Sequence, residues 1–158
     1  ALRAAEAVKL KKTKEEVIEI VNQAVKNTTV YIGLNTLDYV VKGGRVSANK
    51  KKIADLLRIN PILTFTKGGV ENFGKTFGKK NKTGKLIKFV TSKIPNNAYR
   101  VGLAHGNSPE IATMAKEHFK SLGAEKVIST DLGPALGVHA GPKSLVIAIQ
   151  SLNDNLNG

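Results

Sequence analysis

The 158 residues, 41% of them hydrophobic, suffice for one compact domain and not for two. No run approaches the ~18 uninterrupted apolar residues of a membrane-spanning helix, and a chain without cysteine can form no disulfide, thiolate metal site or cysteine nucleophile. The excess of 25 Lys and Arg over 12 Asp and Glu leaves a formal charge of +13, which turns attention to anionic partners.

The opening ALRAAEAVKLKK reads as helix from its first residue and carries no initiator methionine, so the chain is expected to be a fragment entered in the middle of a structure. It has no basic start followed by an apolar block and a small-residue cleavage site, and the default expectation is a soluble, cytoplasmic protein. Thr13 and Glu16 have the spacing of a capping box, and Val17, Ile18, Val21, Ala24 and Val25 keep the three-to-four spacing of a buried stripe, which predicts a helix over 13–26. The β-branched and aromatic run Thr28 to Leu34 predicts a strand. A short helix over Leu37 to Lys42 should stop at Gly43 and Gly44, and another is expected over Asn49 to Arg58, with Ile53, Leu56 and Leu57 inward, ending before Pro61.

Pro61 to Thr66 and Val70 to Thr76 flank Gly68 and Gly69, which reads as a β-hairpin whose first strand is the more apolar. Lys82 to Ile94 places Leu86, Ile87 and Val90 on one side of an amphipathic helix broken by Pro95. Arg100 to His105 predicts a strand. Ser108 can cap the next helix, with Pro109 in its first position and Glu110 at its positive end, over about 109 to 122. Lys126 to Thr130 predicts a strand, Gly133 to Ala140 a turn or short helix, and Ser144 to Gln150 a final apolar strand, followed by a frayed tail. Six strands among five or six helices imply a single α/β domain over 1–158, a mixed, about six-stranded sheet covered by helices.

The residues offer little for catalysis. There is no G-x-S-x-G, Walker-type loop, H-E-x-x-H or G-x-G-x-x-G after a strand, the carboxylates are dispersed, and His105, His118 and His139 are too scattered to suggest a metal centre. The expectation is a non-enzyme without a cofactor. The charge is localised: from Tyr39 to Lys93, 12 Lys and 2 Arg stand against Asp55 and Glu71, a net +12. The ratio of 21 Lys to 4 Arg favours a solvated lysine face, because bidentate recognition of phosphate or guanine recruits arginine. A docking surface for an acidic partner and a nucleic-acid-binding face are the alternatives.

Three segments could still carry chemistry. In LDYVVKGGRVS, residues 37–47, a glycine pair ends a short helix and presents Arg45, which is either a plain surface residue or a guanidinium aimed at an anion. In GVHAGPK, residues 137–143, the loop histidine His139 precedes a Gly-Pro turn, where it is either structural or a hydrogen-bonding group for a carboxylate. In GLAHGNSPE, residues 102–110, a strand runs into a glycine loop and a helix start, which ordinary capping explains as well as anion binding does.

Taken in order, EEVIEIV, VYIGL, LDYVVKGGRVS, INPILTFTKGGVENFGK, YRVGLAHGNSPEIA and LGPALGVHAGP resemble the DegV family of bacterial proteins that bind a long-chain fatty acid, and they cover nearly the whole chain. The resemblance implies the C-terminal lobe of a two-lobed protein, with the acyl chain in an apolar tunnel and the carboxylate held near the junction of the lobes by hydroxyls of an absent N-terminal lobe. It carries over His139 as a head-group contact. In members that serve a fatty acid kinase as acyl-carrying subunits, the phosphoryl chemistry belongs to the separate kinase, and the arginine of the GGR phrase, here Arg45, is associated with docking to it. Lys79 and Lys80 fall in the same basic docking region. Two departures stand out. Phe77 in GKTFGKK occupies the place of a usual arginine, which Lys79 and Lys80 can replace in charge but not in geometry. Lys143 replaces the last glycine of a usual Gly-Pro-Gly and adds an ammonium beside the head-group loop.

Overall fold

A computed structural model of the chain describes residues 1–44, 59–66, 69–78 and 80–152. The helix expected over Asn49 to Arg58, Gly68 of the hairpin, Arg45, Lys79 and the tail beyond residue 152 lie outside the described residues. The described elements are helices α1 (Leu2–Lys9), α2 (Lys14–Lys26), α3 (Asp38–Lys42), α4 (Lys82–Thr91), α5 (Pro109–Ser121) and α6 (Pro134–Ala140), with strands β1 (Thr28–Gly33), β2 (Ile59–Thr66), β3 (Gly69–Phe77), β4 (Tyr99–His105), β5 (Lys126–Asp131) and β6 (Leu145–Ser151).

Local chemistry sets most boundaries. The capping box forms as expected: the Thr13 hydroxyl accepts from the Glu16 amide at 3.3 Å, and the Thr13 amide donates to the Glu16 carboxylate at 2.7 Å. The stripe of α2 is narrower than its spacing predicts. Ala24 is buried and Val17 and Val21 are half-buried, but Ile18 and Val25 are exposed, because the short α1 is the main partner α2 packs on. Helix α4 ends at Thr91 and not at Ile94. The next residues form a turn, with the Ile94 amide on the Thr91 carbonyl at 3.3 Å, since a residue before proline is pushed out of the helical region. The β2–β3 hairpin forms, with Gly69 at φ +118.

The six strands make one sheet in the order β3-β2-β1-β6-β4-β5, antiparallel throughout except for the parallel pair β4–β5. This is the mixed α/β architecture the sequence predicts. Alternation along the strands gives the sheet two unlike faces. One carries Tyr31, Ile62, Val101, Leu103, Leu145, Ile147 and Ile149, closed over by Leu86, Ile87 and Val90 of α4 and by Ala115 and Phe119 of α5. Each large side chain fully buried here contributes about 1.5–3 kcal/mol before ordering costs.

Among the described residues, the opposite face is covered at its ends. At one end Ile32, Leu34, Leu37 and Val40 meet Ala140 of α6. At the other, α1 is pinned to β4: the Arg100 guanidinium donates to both Glu6 carboxylate oxygens at 2.7 Å, and Arg3 donates to the same carboxylate at 3.3 Å. Burial alone raises the Glu6 pKa, but the hydrogen bonds and charge of Arg100, with those of Arg3, outweigh it and hold the carboxyl below its ordinary value. Between the two ends Val30, Leu63 and Val146 remain half-buried, beside the small residues Gly102, Ala104 and Ala148.

Candidate functional site

The three segments that stand out in sequence converge at one end of the sheet. Gly33 of β1 and His105 of β4 both pair with Leu145 of β6, which brings the exits of β1 and β4 beside the entry to β6. The turn after α6 locks into the loop after β4. The Gly106 amide donates to the Ser144 carbonyl at 3.0 Å, the Lys143 amide donates to the Gly106 carbonyl at 2.7 Å, and the Ser144 hydroxyl donates to the Gly141 carbonyl at 2.7 Å. A Cβ at Gly106 would run into the Gly141 carbonyl and the Ser144 hydroxyl, so the loop can close only around glycine.

The other contact joins α3 to α6. His139 sits in the last turn of α6 and not in a loop, because Gly133, Pro134 and Gly141 bound a full helix between them. Its imidazole lies directly against Gly43, where a Cβ would overlap Nδ1 and approach Cε1 to 2.9 Å. Reciprocally, the Tyr39 ring lies on Gly141, where a Cβ would come within 2.8 Å of the ring carbons. Each helix thus supplies a ring and a bare backbone to receive the other's ring.

The Nδ1 atom of His139 is buried and has no hydrogen-bond partner among the described residues. An unsatisfied buried nitrogen costs about 1–3 kcal/mol, and the penalty is removed by any group that donates to it or accepts from it. His105 has no such vacancy. Its Nδ1 accepts the Ser108 amide at 3.2 Å and stands 3.4 Å from the Asp131 carboxylate, two roles that one nitrogen cannot fill together. The Ser108 hydroxyl is fully buried and turns to the carbonyls of Gly106 and Asn107. It therefore makes no cap to α5, contrary to the expectation, and it offers no hydroxyl to His105 as a nucleophile would.

Of the residues expected to dock a partner, Arg45 and Lys79 lie outside the described residues, and Lys80 is exposed just before α4. Phe77, at the end of the edge strand β3, is exposed, with the Lys75 ammonium 5.5 Å above its ring. Lys143 does not join His139. It lines a cleft on the α4 side of the sheet, together with Lys82. No group of three potential metal ligands occurs among the described residues, and no helix among them is long and apolar enough to cross a membrane.

Sequence reasoning singled out the segments that hold Tyr39, Gly43 and Gly106 but missed the contacts these three residues make in the site. A signal was present in the doubled glycine. Gly44 has φ +65 and ends α3 by itself, whereas Gly43 has φ −76, which any residue adopts, so its glycine needs a steric reason.

The family model described as "uncharacterised protein, DegV family" matches residues 1–152. Among curated proteins, a DegV domain-containing protein of Streptococcus pneumoniae is 34% identical over 125 residues, 78% of this chain and 44% of its own length. Another, from Clostridium perfringens, is 31% identical over 151 residues, 94% of this chain and 54% of its own. The chain thus spans about half the length of the curated relatives it matches. Among solved structures, a fatty-acid-binding DegV family protein of Thermus thermophilus superposes with a TM-score of 0.80 at 22% identity, over 96% of this chain and 55% of that one. DegV of Bacillus subtilis, described as a fatty acid binding protein, gives 0.75 at 24%, again over 96% of this chain and 55% of its own.

Proposed function

The chain belongs to the DegV family, and on that premise we propose that it is the C-terminal lobe of a two-lobed carrier that binds a long-chain fatty acid in an apolar tunnel. The reading rests on one observation above the others: among the described residues, the Nδ1 of His139 is buried without a hydrogen-bond partner at the end of a sheet face whose apolar middle is half-buried. In this proposal the acyl chain and a second lobe complete that face, and His139 meets the carboxylate. Hydroxyls of the second lobe supply the rest of the head-group clamp.

The energetics suit such a ligand. Burying hydrocarbon gains roughly 0.8 kcal/mol per methylene, so a dozen carbons contribute on the order of 10 kcal/mol before ordering costs, and few polar contacts are needed. The half-buried Val30, Leu63 and Val146 beside Gly102, Ala104 and Ala148 give an apolar floor with shallow side chains over the central strands. No catalytic step is assigned to this lobe and no cofactor. We place the protein in the cytoplasm, where the acid would be presented to a separate fatty acid kinase, with Arg45, Lys79 and Lys80 as the candidate docking residues.

The test uses the intact two-lobed protein. Mass spectrometry after denaturation should show a retained fatty acid, and His139→Ala should weaken binding about tenfold, the loss of one good hydrogen bond. No acyl species across several expression hosts, or unchanged affinity in the variant, would remove the reading. The net +12 window from Tyr39 to Lys93 favours a second reading, docking of an acidic protein, which a pull-down with the kinase tests. Nucleic-acid binding by the same window predicts affinity that falls steeply with salt, and a flat titration against oligonucleotides at low salt eliminates it.

A further inference from the structure

A cleft opens where the exit of β1, the entry to β2, the exit of β3, the entry to β6 and the start of α4 meet. Ile62, Leu86 and Leu145 form an apolar floor, and the polar wall carries Lys82, Thr83 and Lys143. Among the described residues that line it there is no carboxylate. It lies on the side of the sheet closed by α4, whereas His139 belongs with α3 and α6 on the other side, so the cleft is no part of the head-group site described above.

Two lysines from distant parts of the chain line it. The Lys82 ammonium donates to the Asn35 carbonyl at 2.6 Å, which fixes it on the wall and leaves two of its three protons to offer. The side chain of Lys143 makes no hydrogen bond or ion pair among the described residues. Neighbouring charges add to the same sign: α4 has no acid in its first turn, and Lys85 reaches the Gly78 carbonyl at 3.3 Å. Like charges at a helix start are unfavourable unless an anion sits among them. Lys143 also holds φ +60, a conformation that glycine adopts freely and lysine does not.

We propose that this cleft binds a phosphate oxyanion, gripped by Lys82 and Lys143 with the Thr83 hydroxyl as a third donor. A tetrahedral dianion suits it better than a carboxylate, because the donors stand on separate elements and a phosphate presents oxygens in several directions at once. The group can arrive as inorganic phosphate or as the phosphoryl end of a small monoester. The inference does not depend on fatty-acid binding.

The experiment titrates this chain with inorganic phosphate, and separately with glycerol 2-phosphate, against chloride at matched ionic strength, following amide chemical shifts by NMR and thermal unfolding. Saturable shifts centred on Lys82, Thr83 and Lys143 are expected. Binding of both titrants assigns the site to phosphomonoesters, and binding of phosphate alone assigns it to the free ion. Lys143→Gly should weaken phosphate about tenfold or more, yet unfold at the same or a higher temperature in chloride, since glycine relieves the left-handed backbone. Lys82→Gln should weaken phosphate similarly, and Lys26→Gln, on the exposed end of α2, should not. The inference is overturned by unsaturable shifts, or by variants at 82 and 143 that respond to phosphate as the parent does. Fatty-acid retention by the intact protein is a separate readout, so failure here leaves that reading standing, and the converse holds.

Discussion

Replacing Gly43 by alanine isolates the contact that places His139. The backbone at φ −76 accepts alanine without strain, and trading glycine for alanine at a compatible position ordinarily stabilises by about 0.4–1 kcal/mol through the unfolded chain. The added Cβ, however, would overlap Nδ1 of the imidazole and stand 2.9 Å from Cε1, so the ring must retreat by about half an ångström at Cε1 and further at Nδ1. Overpacking of this kind costs about 1–3 kcal/mol, and an off-rotamer histidine lies within that range. The net expectation is destabilisation of roughly 0.5–2 kcal/mol, a fall in Tm of a few degrees for a chain this size. Gly137, in α6 with nothing near its would-be Cβ, is the matched control, and Gly137→Ala should stabilise. Thermal unfolding by circular dichroism ranks the two variants, and the imidazole resonances of His139 report whether the ring has moved. Equal stabilisation by both substitutions, with those resonances unshifted, would show that Gly43 does not hold the histidine.

Phe119→Ala should cost about 3–5 kcal/mol in urea unfolding, since the ring is fully buried between α5 and the sheet; a loss below 1 kcal/mol would contradict the packing. Glu6→Gln should cost about 1–2 kcal/mol, a figure reduced because the carboxylate is a quarter exposed, by leaving Arg3 and Arg100 without their shared anion. The pH dependence has a definite sign. The folded Glu6 pKa is lowered, so between that value and the ordinary 4.5 the unfolded chain binds more protons. Its contribution is complete above 4.5 and fades as pH falls through the folded pKa. Stability curves of parent and Glu6→Gln should therefore converge at acid pH, and curves that stay parallel would refute the assignment.

Most of the architecture is written locally. The capping box at Thr13, the β-branched run of β1, the proline at the first position of α5 and the alternating Val101, Leu103 and Ile147, Ile149 each dictate structure within a few residues. The six strands, the hairpin and the mixed sheet were legible for that reason. Errors fell where a neighbour decides: Ile18 and Val25 have the period of a buried face but are exposed, with no partner among the described residues to bury them. Ser108 has the composition of a cap, but a buried loop with carbonyls in reach claims its hydroxyl. The site was legible as three phrases and illegible as a constellation. Nothing in GVHAGPK says that its histidine belongs against Gly43, or that Lys143 lines a cleft on the other side of the sheet.

By itself, then, the order of residues determined which segments become helix or strand and that an ordered series of phrases marks a DegV relative, because periodicity, caps and turn chemistry act between near neighbours. Only the tertiary structure decided that Tyr39 lies on Gly141 and His139 on Gly43, that Nδ1 of His139 is buried without a partner among the described residues, and that Lys82 and Lys143 share a cleft. Those contacts join segments far apart in the chain, set by how β1, β4 and β6 pair, and no local rule encodes them.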